Sequence, residues 1–113
     1  MLSARFKKIK EAALGKSYAL SFSFTTPEKM RKLNLIYRDK NKATDILSFP
    51  LSKNEGEIYI SRSEAKKEAK KFGRTPENFL EFLFLHGCVH LKGYDHGTKM
   101  ELVESRLRKK LSI

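Results

Sequence analysis

All three histidines of this chain, His86, His90 and His96, fall within the eleven-residue segment HGCVHLKGYDH. On a helix, residues four apart are turned by about 40° and displaced by about 6 Å, so His86 and His90 project from one face at a separation suited to one metal ion. Two imidazoles alone make a weak site. His96 follows Gly93, whose tolerance of positive φ lets the chain leave the helix and fold a third imidazole back toward the first two. Three protein ligands with one open position is the arrangement of catalytic rather than structural zinc. Imidazole donors suit zinc, at one ion per chain, with nickel, copper and iron as chemical neighbours. Phe79, Phe82, Leu83 and Val89 share the histidine-bearing face, where an unpaired imidazole is costly.

The spacing of these histidines and of Gly93 is that of the metzincin proteases, HExxHxxGxxH. Those enzymes need a glutamate general base directly after the first histidine, and here that position is Gly87. Peptide hydrolysis by that mechanism is therefore the least favoured use of the site. Cys88 lies roughly 200° around the helix from His86 and reads as core. Asp95 has three readings: an acceptor for a histidine N–H, a base acting on activated water, or a turn residue between Gly93 and Gly97.

The elements that must position these groups are well punctuated. A basic amphipathic segment near residues 3–13, stopped by Gly15, reads as a first helix. Residues 18–24 alternate Tyr18, Leu20, Phe22 and Phe24 with small residues, the period of a half-buried strand. Thr26 and Pro27 open a second helix, running over Met30, Leu33 and Ile36 to about Tyr37. Strands are expected near 44–49 and 57–60, joined by a loop holding Pro50 and Gly56. Strand, helix and strand predict a right-handed parallel crossover, and the short loop predicts an antiparallel hairpin on its edge. Ser61 with Glu64 is a capping-box pattern for a helix that buries Ala65, Ala69 and Phe72 and stops at Gly73. Thr75 and Pro76 launch the histidine-bearing helix to about Leu91. Thr98 with Glu101 suggests another capping box, before a last helix lined by Met100, Val103, Leu107 and Leu111. The expected fold class is α+β: a small mixed sheet packed with about five helices around a zincin-like metal site, residues 1–113 forming one domain.

Composition narrows the partners. Twenty-four Lys and Arg against thirteen Asp and Glu give a formal net charge of +11, which favours association with polyanions, nucleic acid above all. The single cysteine forms no internal bridge, and the N-terminus shows no charged start followed by a long apolar run, so a reducing, cytoplasmic setting is expected. The most apolar stretch, Phe79 to Leu91, is broken by Glu81, His86 and His90 and is too short to cross a bilayer.

The segment HGCVHLKGYDH resembles the signature HGxLHLxGYDH of the YbeY endoribonucleases, with Val89 in place of Leu. A second block, Leu33 to Pro50 (LNLIYRDKNKATDILSFP), is similar to that family's other signature, in which an arginine precedes a TDVLSFP strand. Gly56 to Ser61 (GEIYIS) resembles a GDIxIS stretch, with Glu57 for Asp. The resemblance implies a single α+β domain, one zinc on His86, His90 and His96, and hydrolysis of single-stranded RNA in 16S rRNA 3′-end maturation and ribosome quality control. The arginine it associates with activity is Arg38, which sits just past a helix end beside a polar loop, where a guanidinium can clamp phosphate oxygens. Water or hydroxide activated by the metal is the expected nucleophile, with Asp95 as proton acceptor; attack by the RNA 2′-hydroxyl is the other route. Lys40, Lys42, Lys66 and Lys70 are candidates to guide the RNA backbone. The alternative is a non-catalytic zinc-containing ribosome-assembly factor that binds RNA.

Overall fold

The computed structural model describes residues 2–113. In chain order the elements are α1 (Ala4–Leu14), β1 (Ala19–Phe24), α2 (Pro27–Arg38), β2 (Ile46–Ser52), β3 (Glu55–Ile60), α3 (Arg62–Lys71), α4 (Pro76–Leu91) and α5 (Thr98–Leu111). This is the expected α+β class, with a three-stranded mixed sheet and five helices.

The sheet order is β1-β3-β2, with β1 and β3 parallel and β2 and β3 antiparallel. The helical connection from β1 thus leads to the far edge, and β3 then inserts between the two strands, so the parallel pair is β1 with β3. Register places Phe22 beside Ile58 and Ile58 beside Ser48. Pro50 and Gly56 are not in a loop: they pair with each other inside the hairpin, whose turn lies at Lys53 and Asn54. Pro50 is tolerated because β2 is an edge strand, where a missing N–H breaks no ladder bond, and a bulge follows between Pro50 and Ser52.

Helix α4 is the centre of the molecule. It packs against β2 and β3 and is flanked by α1, α3 and α5. Its start is set as the sequence predicts: the Thr75 side chain accepts the Asn78 N–H at 3.2 Å, and Pro76 follows in the first turn. Phe79, Phe84, Leu85, Cys88 and Val89 are almost wholly buried, which confirms Cys88 as a core residue. Burial pushes its thiol pKa far up.

Four local expectations are corrected. Phe72, expected in the core, is 58% exposed, because α3 ends at Lys71 and the Phe72 ring lies stacked on Phe79 from outside. Ile36 is also exposed; α2 turns Met30 inward as expected, and Asn34 with it. Ser61 does cap α3, accepting the Glu64 N–H, but its own N–H is taken by the Asp45 carbonyl, so the reciprocal half of the box is replaced by a link to β2. Thr98 is the first residue of α5 rather than its cap; Gly97 takes that position without a side-chain bond. Among the described residues, no helix is long and apolar enough to cross a membrane.

Candidate metal and phosphate site

His86 and His90 stand one turn apart on α4, each half-buried at the helix face that meets the edge of β2. Gly87, between them, faces the sheet. A Cβ built there would come within 2.9 Å of Ile46 Cδ1 and Ser48 Oγ and 3.0 Å of Ile58 Cδ1, so α4 lies on the strands at a distance only glycine permits. The position that carries the metzincin base is thus filled by strand side chains, beyond lacking a carboxylate. Gly93 has φ +112°, the region that favours glycine, and it turns the chain past the end of α4. His96 is thereby brought back as expected, its ring centroid 5.4 Å from that of His86 and 5.9 Å from that of His90.

The ring nitrogens not facing the cleft are held. His86 Nδ1 bonds to the Glu104 carboxylate on α5, and His90 Nδ1 lies 3.2 Å from the Tyr94 carbonyl oxygen. A carbonyl only accepts, so the His90 proton sits on Nδ1; the carboxylate favours the same tautomer in His86. In that tautomer Nε2 carries the lone pair a zinc ligand requires, and the acceptors at Nδ1 fix ring orientation. The donor chemistry fits zinc. Among the described residues, no three His, Cys, Asp or Glu side chains close into a coordination shell.

The opposite wall of this cleft of about 220 Å³ comes from α2, the following loop and β2. Arg38, the last residue of α2, donates from Nη2 to the Ser48 carbonyl at 3.1 Å and lies over the Phe49 ring at 5.6 Å. Asn34, 2% exposed, donates from Nδ2 to the Lys42 carbonyl at 3.0 Å and so pins the loop that carries Lys40 and Lys42 into the cleft lining. Asp39 makes the turn out of α2 with φ +54°. The cleft is therefore lined by three imidazoles, one guanidinium and two ammonium groups, and by no carboxylate. That lining attracts a phosphodiester and repels cations less firmly bound than a chelated metal. Lys66 and Lys70 are exposed on α3 and do not line it.

Asp95 is not brought into the cleft. It is exposed, and the acceptor role expected of it at a histidine N–H is filled by Glu104 for His86 and by the Tyr94 carbonyl for His90. Glu104 and Asn34 are the site residues that motif reading misses. Each carries the same signal, a polar side chain at the inward position of an otherwise apolar helical stripe: Glu104 between Met100 and Leu107, Asn34 four residues after Met30.

Comparison with known proteins adds the decisive observation. The family described as endoribonuclease YbeY matches residues 2–111. The chain belongs to the YbeY endoribonuclease family. An endoribonuclease YbeY from Nautilia profundicola is 44% identical over 96 residues, covering 79% of this chain and 69% of that protein. One from Staphylococcus carnosus is 35% identical over 116 residues, covering 92% and 76%. A solution structure of a Thermotoga maritima protein matches with a TM-score of 0.68 at 25% identity, over 95% of this chain and 76% of that one. YbeY membership accounts for both sequence blocks at once, since the histidine segment and the Leu33–Pro50 block form the two facing walls of one cleft.

Proposed function

We propose that this chain is a zinc-dependent, single-strand-specific endoribonuclease of the cytoplasm, acting in 16S rRNA 3′-end maturation at the small ribosomal subunit and in ribosome quality control. The observation that carries the reading is the shared cleft: His86, His90 and His96 on one side, Arg38, Lys40 and Lys42 on the other. His86 and His90 would hold one zinc through Nε2, with His96 as the third ligand. Zinc, when bound, supplies a Lewis acid and lowers the pKa of water from about 15.7 toward about 7.

The protein's own groups do the rest. Arg38 spends one N–H on the Ser48 carbonyl, which fixes the fork while its other N–H groups stay free for phosphate oxygens. A fixed donor stabilises charge that develops on the phosphoryl oxygens without reorganising during the reaction. Lys40 and Lys42 bind the flanking backbone through charge, so affinity falls as salt rises. Glu104 and the Tyr94 carbonyl keep the Nδ1 protons in place throughout.

The test is cleavage of single-stranded against duplex RNA by metal-loaded protein, with metal content measured on the same samples. His90→Ala is expected to lose zinc and cleavage together. Arg38→Ala is expected to keep zinc and lose about a hundred- to a thousand-fold in kcat, the usual cost of removing a preorganised donor. Cleavage unchanged in both variants sinks the site, and RNA binding without cleavage in the unaltered protein favours the assembly factor. A 2′,3′-cyclic phosphate on the product would assign the attack to the 2′-hydroxyl.

A further inference from the structure

A second cavity, of about 390 Å³, opens on the other side of His86 and His96, and its chemistry is the reverse of the first. Three carboxylates reach it, from Asp45, Glu101 and Glu104, and no lysine or arginine lines it. Its wall is aromatic. The Phe72 ring stacks on Phe79 at 5.3 Å and 24°, Phe79 stacks on Phe82 at 5.7 Å and 23°, and Phe72 remains 58% exposed. Arg74 lies 4.4 Å from the Phe82 centroid, so the Phe82 ring is already partnered by a cation.

Phosphate is drawn to the cationic cleft and repelled by this cavity. A nucleobase has the opposite preference: it is uncharged, it stacks on aromatic faces, and cytosine, adenine and guanine carry exocyclic amines that donate to carboxylates. His86 and His96 line both spaces, so the two cavities adjoin across these rings and a strand bound in the first has the second beside it. We infer that the cavity walled by Phe72, Phe79 and Phe82 is a nucleobase subsite, which stacks a base adjacent to the scissile phosphate on Phe72 and favours amine-bearing bases over uracil through Glu101, the Asp45 carboxylate being already engaged by the Thr44 hydroxyl. The inference rests on the ribonuclease reading for its substrate. Glu104 is left out of base recognition because His86 and Arg108 already engage it.

The experiment measures binding, so it does not depend on cleavage. Short ribose-phosphate strands that are abasic except for one cytidine, one uridine or no base at all are titrated against the protein. The expected order is cytidine, then uridine, then no base, with cytidine roughly five- to a hundred-fold tighter than no base, the range for one stacked base. Phe72→Ala and Phe72→Leu should erase most of that difference, and Phe72→Tyr should retain it. Glu101→Ala should remove the cytidine-over-uridine preference while keeping the advantage of a base over none. Because the comparison is between strands on one variant, a general loss of stability cancels. Affinity indifferent to the base in the unaltered protein, or a base effect unchanged in both Phe72→Ala and Phe72→Leu, overturns the subsite. A Phe72-dependent base effect in a protein that cleaves no RNA would uphold the subsite and remove the hydrolytic reading instead.

Discussion

The two walls of the cleft are built on different physical principles. Two of the three histidines stand on α4, which is buried among two strands and three helices, and these rings are oriented from behind by Glu104 and the Tyr94 carbonyl, while His96 is exposed on the turn that follows. The cationic wall stands on the exposed end of α2 and its loop, where Leu35, Ile36 and Tyr37 all face solvent. It is tied to the body by buried Met30, by the Arg38 hydrogen bond to Ser48, and by Arg38 and Tyr37 against the Phe49 ring, the Tyr37 ring tilted with centroids 5.0 Å apart, while the Asn34 hydrogen bond holds its loop to α2. A metal would tolerate ligand displacement poorly, and two of its three proposed donors sit on the densely packed helix. Phosphate binding is carried by long side chains with charge that acts over several ångströms, and it tolerates a looser mount.

The sharpest way to break this contrast is at Glu104. Its carboxylate holds His86 from α5 and is itself approached by Arg108 at 3.6 Å. Glu104→Ala is expected to lower zinc affinity by about 10- to 100-fold, the usual effect of removing an outer partner of a metal-binding histidine. Chelator competition measures it. RNA affinity at saturating zinc should change little, because Glu104 lies outside the cationic wall. Undiminished zinc affinity in this variant would mean that α4 alone sets the ring, and the back support would lose its role.

The converse change is Asn34→Ala. It leaves the Lys42 carbonyl without its partner and frees the loop that carries two of the three cations, at a cost of about 1–3 kcal/mol. Thermal melting should show that loss, and RNA affinity should weaken with a shallower salt dependence. Zinc content should hold. A fall in zinc content would show that the two walls are coupled more tightly than their separate supports imply.

What the sequence made legible follows the same division. Local rules were enough for α4: Thr75 and Pro76 start it, four-residue spacing pairs His86 with His90, and the positive φ of Gly93 returns His96. Glu104 was hidden because its partner lies 18 residues away across a helix packing that spacing does not reveal. Proline and glycine misled at Pro50 and Gly56, where an edge strand admits the first and close packing against Tyr18 and Leu91 requires the second. Phe72 looked like core because hydrophobicity alone does not tell a ring that closes a core from one that walls a cavity. Strand order was likewise not local: nothing in the β2–β3 hairpin itself says that β3 rather than β2 joins β1.

The smallest expected effect lies in the aromatic cavity beside the histidine wall. Asp45 precedes β2, lines the aromatic cavity and gives its carbonyl to the Ser61 N–H. Burial raises its carboxyl above the ordinary value of 3.8, and the nearby charge of Glu68 pushes in the same direction. A raised pKa in the folded state means that the folded form holds its proton more tightly than the unfolded chain. The associated stability is complete below about 3.8 and is lost as pH rises through the higher folded value. Asp45→Asn removes that loss while keeping the shape, so the variant should melt higher than the unaltered protein at pH 7. The gain should shrink toward zero as pH falls to 3.8. A gain that persists at low pH would assign it to packing rather than charge.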